Sequence, residues 1–180
     1  LLDDASCRAL ADLQPHGVEI TLFSADPSLH DAVTGQPGSF GRALWSIRRL
    51  RDLETRVTVK TPLVKRAWRG WTHVRELAGG LGASFLVDAV TVCGDDGDPG
   101  PCADRLDGEE LAEFFAHPEV DAGLRSPGRL EEACCKAARS FLVIGPGGEV
   151  RSCVTLPTVL GRVPEQRLRE IWQSHPFLEQ

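Results

Sequence analysis

The alternation of strand-forming and helix-forming segments most constrains how this chain folds. Val18 to Phe23 is apolar and β-branched and reads as a strand. Before it, a helix is expected over residues 4–13, opened by Asp3 or Asp4, with Leu10 and Leu13 on one face and Pro15 and Gly17 ending it. Ser39 is placed to cap a helix to about Leu50, with Leu44, Ile47 and Leu50 on one side. Next come a strand over 56–61 stopped by Pro62, a helix from Trp71 to the Gly79-Gly80 pair, a strand over 84–92 and a helix over 106–116. The nearly continuous apolar run Phe85, Leu86, Val87, Ala89 and Val90 predicts burial on both faces of the third strand. Residues 24–38 read as a polar loop, and residues 93–107 as a long Asp/Gly/Pro loop. Strands alternating with helices argue for the α/β class, with a parallel sheet and right-handed crossovers. Three strands are few for a stand-alone sheet, so further strands are expected upstream.

After a Pro/Gly-containing linker over 118–130 the pattern changes. Phe141 to Ile144 is expected to pair with Glu149 to Val154 across the Gly145-Pro146-Gly147-Gly148 turn. Such a hairpin brings Cys135 and Cys153 toward one end of the ribbon, where two thiolates can share a metal. A coil containing Gly161 and a short helix over 165–172 complete the reading. The expected division is thus 1–117, a linker, and 131–180.

Net charge is −6, which argues against a nucleic-acid footprint. No apolar run reaches transmembrane length, and no secretory signal is visible. The chain has no Met and begins Leu1-Leu2-Asp3-Asp4, so it reads as a piece of a longer protein. The six cysteines sit in an α/β pattern rather than a small stapled scaffold, and a reducing cytoplasm is expected. Cys7 falls in a helical pattern and reads as core. Cys93 and Cys102 flank a Gly/Asp/Pro loop and read as two unrelated thiols, with metal binding as the alternative.

The spacing C-x12-G-x4-C, from Cys135 through Gly148 to Cys153, resembles the opening of the SPASM domain, the iron–sulfur extension of many radical SAM enzymes. Three further segments resemble that group in the same order. Glu19-Ile20-Thr21-Leu22, followed by His30-Asp31 and Thr34-Gly35-Gln36-Pro37-Gly38-Ser39-Phe40, is similar to a strand and an "HD…TG.PGSF" loop. Asp95-Asp96-Gly97-Asp98-Pro99-Gly100-Pro101, ending at Arg105-Leu106, resembles the "DG…P…RL" loop after a late barrel strand. Leu160-Gly161-Arg162-Val163, with Leu168 to Trp172, resembles the segment behind the first SPASM cysteines.

The resemblance implies part of a (β/α)6-type partial TIM barrel followed by a small iron–sulfur extension containing a β-hairpin. It implies S-adenosylmethionine and [4Fe-4S] clusters as cofactors. The intact protein would then abstract hydrogen from a substrate, expected to be a ribosomally made peptide, with an electron donor such as flavodoxin or ferredoxin. By the same resemblance Cys135 and Cys153 each give a thiolate to an auxiliary cluster, with Cys134 as the alternative to Cys135. Thr21 is placed to hydrogen-bond the ribose of S-adenosylmethionine, against the plainer reading of a β-branched strand residue. Gly148 serves the turn. No three cysteines have the C-x3-C-x2-C spacing of the family's reductive cluster, so this chain alone would not start radical chemistry.

The residues read by themselves leave other possibilities open. Lys60 and Thr61 close the second strand and stand near the same mouth, the lysine reading as solvated. His30-Asp31 reads as loop hydrogen bonding or a helix-end role rather than acid–base chemistry. Asp95, Asp96 and Asp98 lack the glutamate that closes a calcium loop. A cluster-free α/β module that binds a peptide or protein is the rival to the enzyme, and zinc held by Cys135, Cys153 and another cysteine is a third option.

Overall fold

The computed structural model describes residues 2–94, 97–120 and 141–174. The chain divides into two compact units, residues 1–91 with 100–114, and residues 92–99 with 115–180.

The first unit carries a three-stranded parallel sheet in the order β1-β2-β3, with β1 Val18–Thr21, β2 Val57–Pro62 and β3 Ser84–Asp88. Helix α1, Asp4–Asp12, starts where the Asp3 carboxylate accepts the Ser6 N–H at 2.8 Å. Its buried residue is Cys7, the core position expected, whereas Leu13 is 77% exposed and does not share the packed face with Leu10. The loop expected over 24–38 contains a helix, α2, Pro27–Thr34. Its punctuation is regular: Asp26 caps the Leu29 N–H at 2.9 Å, Pro27 occupies the first turn, and Gly35 at φ +65 ends it.

Helix α3, Ser39–Asp52, buries Ala43, Ile47 and Leu50. Ser39 does not cap it, because Gly38 occupies the cap position and Ser39 is already helical. The cap comes instead from Asp31 on α2. Its carboxylate accepts the Phe40 N–H at 2.9 Å, the Ser39 hydroxyl at 2.9 Å and the Gly38 N–H. These bonds hold the Asp31 carboxyl below the ordinary carboxylate range, the Phe40 amide first among them. The expected loop or helix-end role of His30-Asp31 is therefore what the structure shows. Helix α4, Trp71–Gly80, contributes Val74 and Ala78 to the core, and Trp71 stacks on Phe85 with ring centroids 6.2 Å apart. Helix α5, Gly108–Ala116, opens with its Glu109 and Glu110 amides on the Asp107 carboxylate.

Register assigns the sheet's two faces, because paired residues of parallel strands point the same way. Ile20, Val57, Val59 and Thr61 are buried on the helix-covered face, where Ile47, Leu50 and Val74 complete the core. Glu19, Thr21, Thr58, Lys60, Ser84, Leu86 and Asp88 lie on the other face, and none of these is buried. This corrects the two-faced burial expected of β3: Leu86 is 41% exposed, and Val90, beyond the strand's end, is 71% exposed. A run of apolar letters does not by itself say which face has a neighbour.

In the second unit β4, Val143–Ile144, pairs antiparallel with β5, Glu149–Arg151, which pairs antiparallel with β6, Val159–Arg162. The hairpin forms across the expected turn but is shorter than the expected pairing of 141–144 with 149–154. The coil expected around Gly161 is instead β6, where Gly161 pairs with Val150. Helix α6, Leu168–Ser174, adds Ile171 to a small core with Val150 and Leu160. The linker expected over 118–130 falls almost entirely outside the described residues.

Candidate functional site

Each unit presents a candidate site among the described residues. In the first, the carboxyl end of β1 meets the α2–α3 connection. Thr21, Phe23, His30, Thr34, Gln36, Ser39, Arg42 and Ala43 line a recess of about 440 Å³. That volume lies within the ordinary range for small-molecule pockets, roughly 300–1,000 Å³. Thr21 is exposed, with its side chain on the open face of the sheet. His30 is 2% exposed and accepts the Phe23 N–H at Nδ1, 3.2 Å away. Its ring lies between Phe23 and Phe40, with centroids 6.1 and 5.7 Å away. Burial pushes its pKa below the ordinary imidazole value, with the Asp31 charge opposing. Accepting at Nδ1 leaves that nitrogen without a proton, so in the neutral ring the proton is on Nε2.

The two residues closing β2 separate. Thr61 is buried and donates its hydroxyl to the Leu22 carbonyl at 2.9 Å, so it does not line the mouth. Lys60 is on the open face but is not merely solvated: its Nζ lies 2.9 Å from Asp88 Oδ2.

In the second unit Cys153 follows β5 and begins the turn toward β6. Its sulfur lies 3.1 Å from the Thr155 hydroxyl and accepts the Thr155 N–H at 3.5 Å. Those donors hold the thiol below its ordinary pKa, the Thr155 hydroxyl first, then its amide, with the Leu156 and Val154 amides adding to them. A partly exposed sulfur surrounded by N–H and O–H donors is chemically suited to a soft metal or cluster, which takes the thiolate form. Thr155 was missed by sequence reasoning; the available signal was a hydroxyl two residues past a cysteine, the spacing of a local side-chain turn.

Gly148 has a stricter role than turn formation. Its φ is +81, and a Cβ there would overlap the carbonyl oxygen of Val163. The interior glycine of the C-x12-G-x4-C spacing thus lets β6 close against the hairpin that carries Cys153. Cys134 and Cys135 lie outside the described residues. Among the described residues no three His, Cys, Asp or Glu side chains converge as a metal site.

Residues 134–179 match the SPASM family, an iron–sulfur cluster-binding domain. The resemblance to radical SAM enzymes with a SPASM extension holds. The AdoMet-dependent heme synthase of Methanosarcina barkeri is 27% identical over 194 aligned residues, covering 87% of this chain and 53% of that protein. The chain therefore spans about half the length of the curated relative it matches. No helix among the described residues is long and apolar enough to cross a membrane.

Proposed function

We propose that this chain is the substrate-side portion of a radical S-adenosylmethionine enzyme, comprising part of a partial TIM barrel and the opening of a SPASM auxiliary-cluster domain. The observation that carries the reading is Cys153, a thiol held toward its thiolate at the position of the second SPASM cysteine, inside the segment that matches an iron–sulfur family. S-adenosylmethionine and a reducing cluster supply the hydrogen-abstracting chemistry when bound. Thr21 offers a hydroxyl to the nucleoside ribose at the carboxyl end of the parallel sheet, where α/β folds bind ligands. His30, which lines the same recess as Thr21, is enclosed by Phe23 and Phe40. Cys135, with Cys134 as the alternative, gives the auxiliary cluster its other early thiolate.

The substrate of the first reading is a ribosomally made peptide, reduction comes from a flavodoxin or ferredoxin, and the setting is the cytoplasm. A tetrapyrrole substrate is the second reading, favoured by the relative's being a heme synthase. Anaerobic reconstitution of the parent polypeptide tests the enzyme. Bound iron, charge-transfer absorbance and reductive cleavage of S-adenosylmethionine are expected; turnover of a peptide or of a tetrapyrrole then separates the substrates. Thr21→Val should weaken S-adenosylmethionine binding about threefold to tenfold by calorimetry, the loss of one hydrogen bond. A colourless, iron-free product would favour the cluster-free binding module.

A further inference from the structure

We propose that Lys60 binds a carboxylate of the substrate, beside the nucleoside held by Thr21. This deepens the proposed function and rests on its placing of S-adenosylmethionine at Thr21. Hydrogen transfer needs the reacting atoms within about 3–3.5 Å of each other. The substrate must therefore lie against that nucleoside, and an anchor for it is needed beside Thr21. Strand register supplies one. Thr21 pairs with Lys60 on β2, and Lys60 pairs with Leu86 on β3. The three residues form a row across the open face of the sheet, each about 4.8 Å from the next, the spacing of paired strands. The row lies toward the carboxyl ends of the strands, where parallel α/β sheets bind ligands.

The cation in that row is held in place but not used up. Lys60 Nζ lies 2.9 Å from Oδ2 of Asp88, the last residue of β3. The Asp88 carboxylate is fixed in turn, because its Oδ1 accepts the Val90 N–H at 2.9 Å. The Asp88 carbonyl accepts the Leu63 N–H at 2.8 Å, which ties the end of β3 to the residue after β2. An ammonium has three N–H donors. Among the described residues Asp88 is the one ion-pair partner of Lys60, so donors remain for a ligand. Lys65 differs, since it stands between Asp107 and Glu110 at 3.2 and 3.7 Å. The Lys60 and Asp88 side chains are 32% and 29% exposed. An ion pair so open to water adds little to stability, and lysine is a poor strand former. Folding alone thus gives little reason for a lysine at this position.

The charges select the ligand. One ammonium already paired with Asp88 suits a group with a single negative charge. A phosphate dianion would meet the like charges of Asp88 and Glu19 on the same face. Leu86 lies on the other side of Lys60 from Thr21 and is 41% exposed, which offers hydrocarbon to the body of the substrate. A largely apolar molecule carrying a carboxylate fits this row. The carboxylate belongs to an acidic side chain of a peptide or to the rim of a tetrapyrrole, and the chemistry at Lys60 is the same for both.

The test uses the parent polypeptide reconstituted anaerobically, beside Lys60→Met, Lys60→Arg and Lys65→Met. Two probe pairs are titrated with S-adenosylmethionine present: a glutamate-containing peptide against its glutamine counterpart, and protoporphyrin IX against its dimethyl ester. The parent should bind one free acid at least about tenfold more tightly than its neutral partner, as a charge-assisted hydrogen bond provides. The pair that shows this preference names the source of the carboxylate. Lys60→Met should abolish the preference, Lys60→Arg should keep it within about threefold, and Lys65→Met should leave it unchanged. The preferred acid should protect Lys60 but not Lys65 from acetylation, read by mass spectrometry. Calorimetry should find S-adenosylmethionine bound to Lys60→Met within about threefold of the parent, and circular dichroism separates ligand loss from misfolding. No acid preference in the parent, a preference that survives Lys60→Met, or equal protection of both lysines overturns the proposal. So does a loss confined to S-adenosylmethionine binding, which would assign the ammonium to the cofactor's own carboxylate. A parent that cleaves S-adenosylmethionine without an acid preference keeps the enzyme reading and loses this one. A Lys60-dependent acid preference in an iron-free polypeptide keeps the carboxylate anchor and loses the enzyme reading.

Discussion

Replacing Gly148 by alanine tests whether the hairpin and β6 are locked as described. Two costs add. A side chain at φ +81 pays roughly 1–2 kcal/mol for the left-handed conformation. The new Cβ also takes the place of the Val163 carbonyl oxygen, so β6 must move. That movement strains the bond from the Val163 N–H to the Gly148 carbonyl, now 2.9 Å, whose loss costs about 1 kcal/mol. The sum is roughly 2–3 kcal/mol, in a unit whose described core is Val150, Leu160 and Ile171. At 1.4 kcal/mol per factor of ten, the lower figure is about a 30-fold increase in local opening. Hydrogen exchange read on peptides spanning residues 143–163 measures it. Gly147→Ala is the matched control, since a Cβ there meets only the Glu149 carboxylate, the mobile end of a side chain. Exchange in Gly147→Ala should stay within about threefold of wild type. A Gly148→Ala protein that exchanges as slowly as its parent, or a Gly147→Ala protein that opens as much, would refute the steric argument.

Two other predictions concern titration. Cys153 in the metal-free protein should alkylate near neutral pH faster than Cys7, because hydrogen bonds stabilise its thiolate while burial disfavours that of Cys7; Thr155→Val should slow Cys153 labelling and leave Cys7 unchanged, and equal rates at the two sulfurs would contradict the described turn. His30 has a folded pKa below its unfolded value of ~6.5, so its contribution to stability is complete above that pH and declines as pH falls below it, where only the unfolded chain takes the proton. Thermal unfolding between about pH 7.5 and about pH 5.5 should therefore drop more steeply for the wild type than for His30→Asn, which keeps an acceptor for the Phe23 N–H and removes the titration; parallel curves would show that His30 is not the titrating group.

Local chemistry that announces itself in adjacent residues was legible in the sequence. The βα alternation, the Asp3 cap on α1, buried Cys7 and the hairpin across Gly145 to Gly148 all appear as expected. Helix α2 was hidden because residues 24–38 are dominated by loop-forming letters, although Asp26, Pro27 and Gly35 form a complete set of start and stop signals. The α3 cap was misplaced because its donor of charge is Asp31, seven residues before the Gly38 amide, while Ser39 looks like a cap from its own position. β6 was hidden because its four residues include glycine, and only tertiary pairing with β5 reveals the strand.

The least legible feature bears most on function: which face of the sheet lacks a cover. Periodicity in β2 separates Val57, Val59 and Thr61 from Thr58, Lys60 and Pro62, yet β3 reads apolar throughout. Register resolves it, by pairing Lys60 with Leu86 and Pro62 with Asp88 and so assigning them to one face. That face carries hydroxyls and the Lys60–Asp88 ion pair at the strands' carboxyl ends, beside exposed Thr21. Polar groups cost little there while water reaches them. Burial without a partner costs such a group several tenths to several kcal/mol, a cost that Lys60 and Asp88 avoid by pairing with each other. The two faces thus differ in what their hydroxyls can do: Thr61, on the covered face, has its hydroxyl spent on the Leu22 carbonyl and cannot serve the site, whereas Thr21 on the open face is exposed.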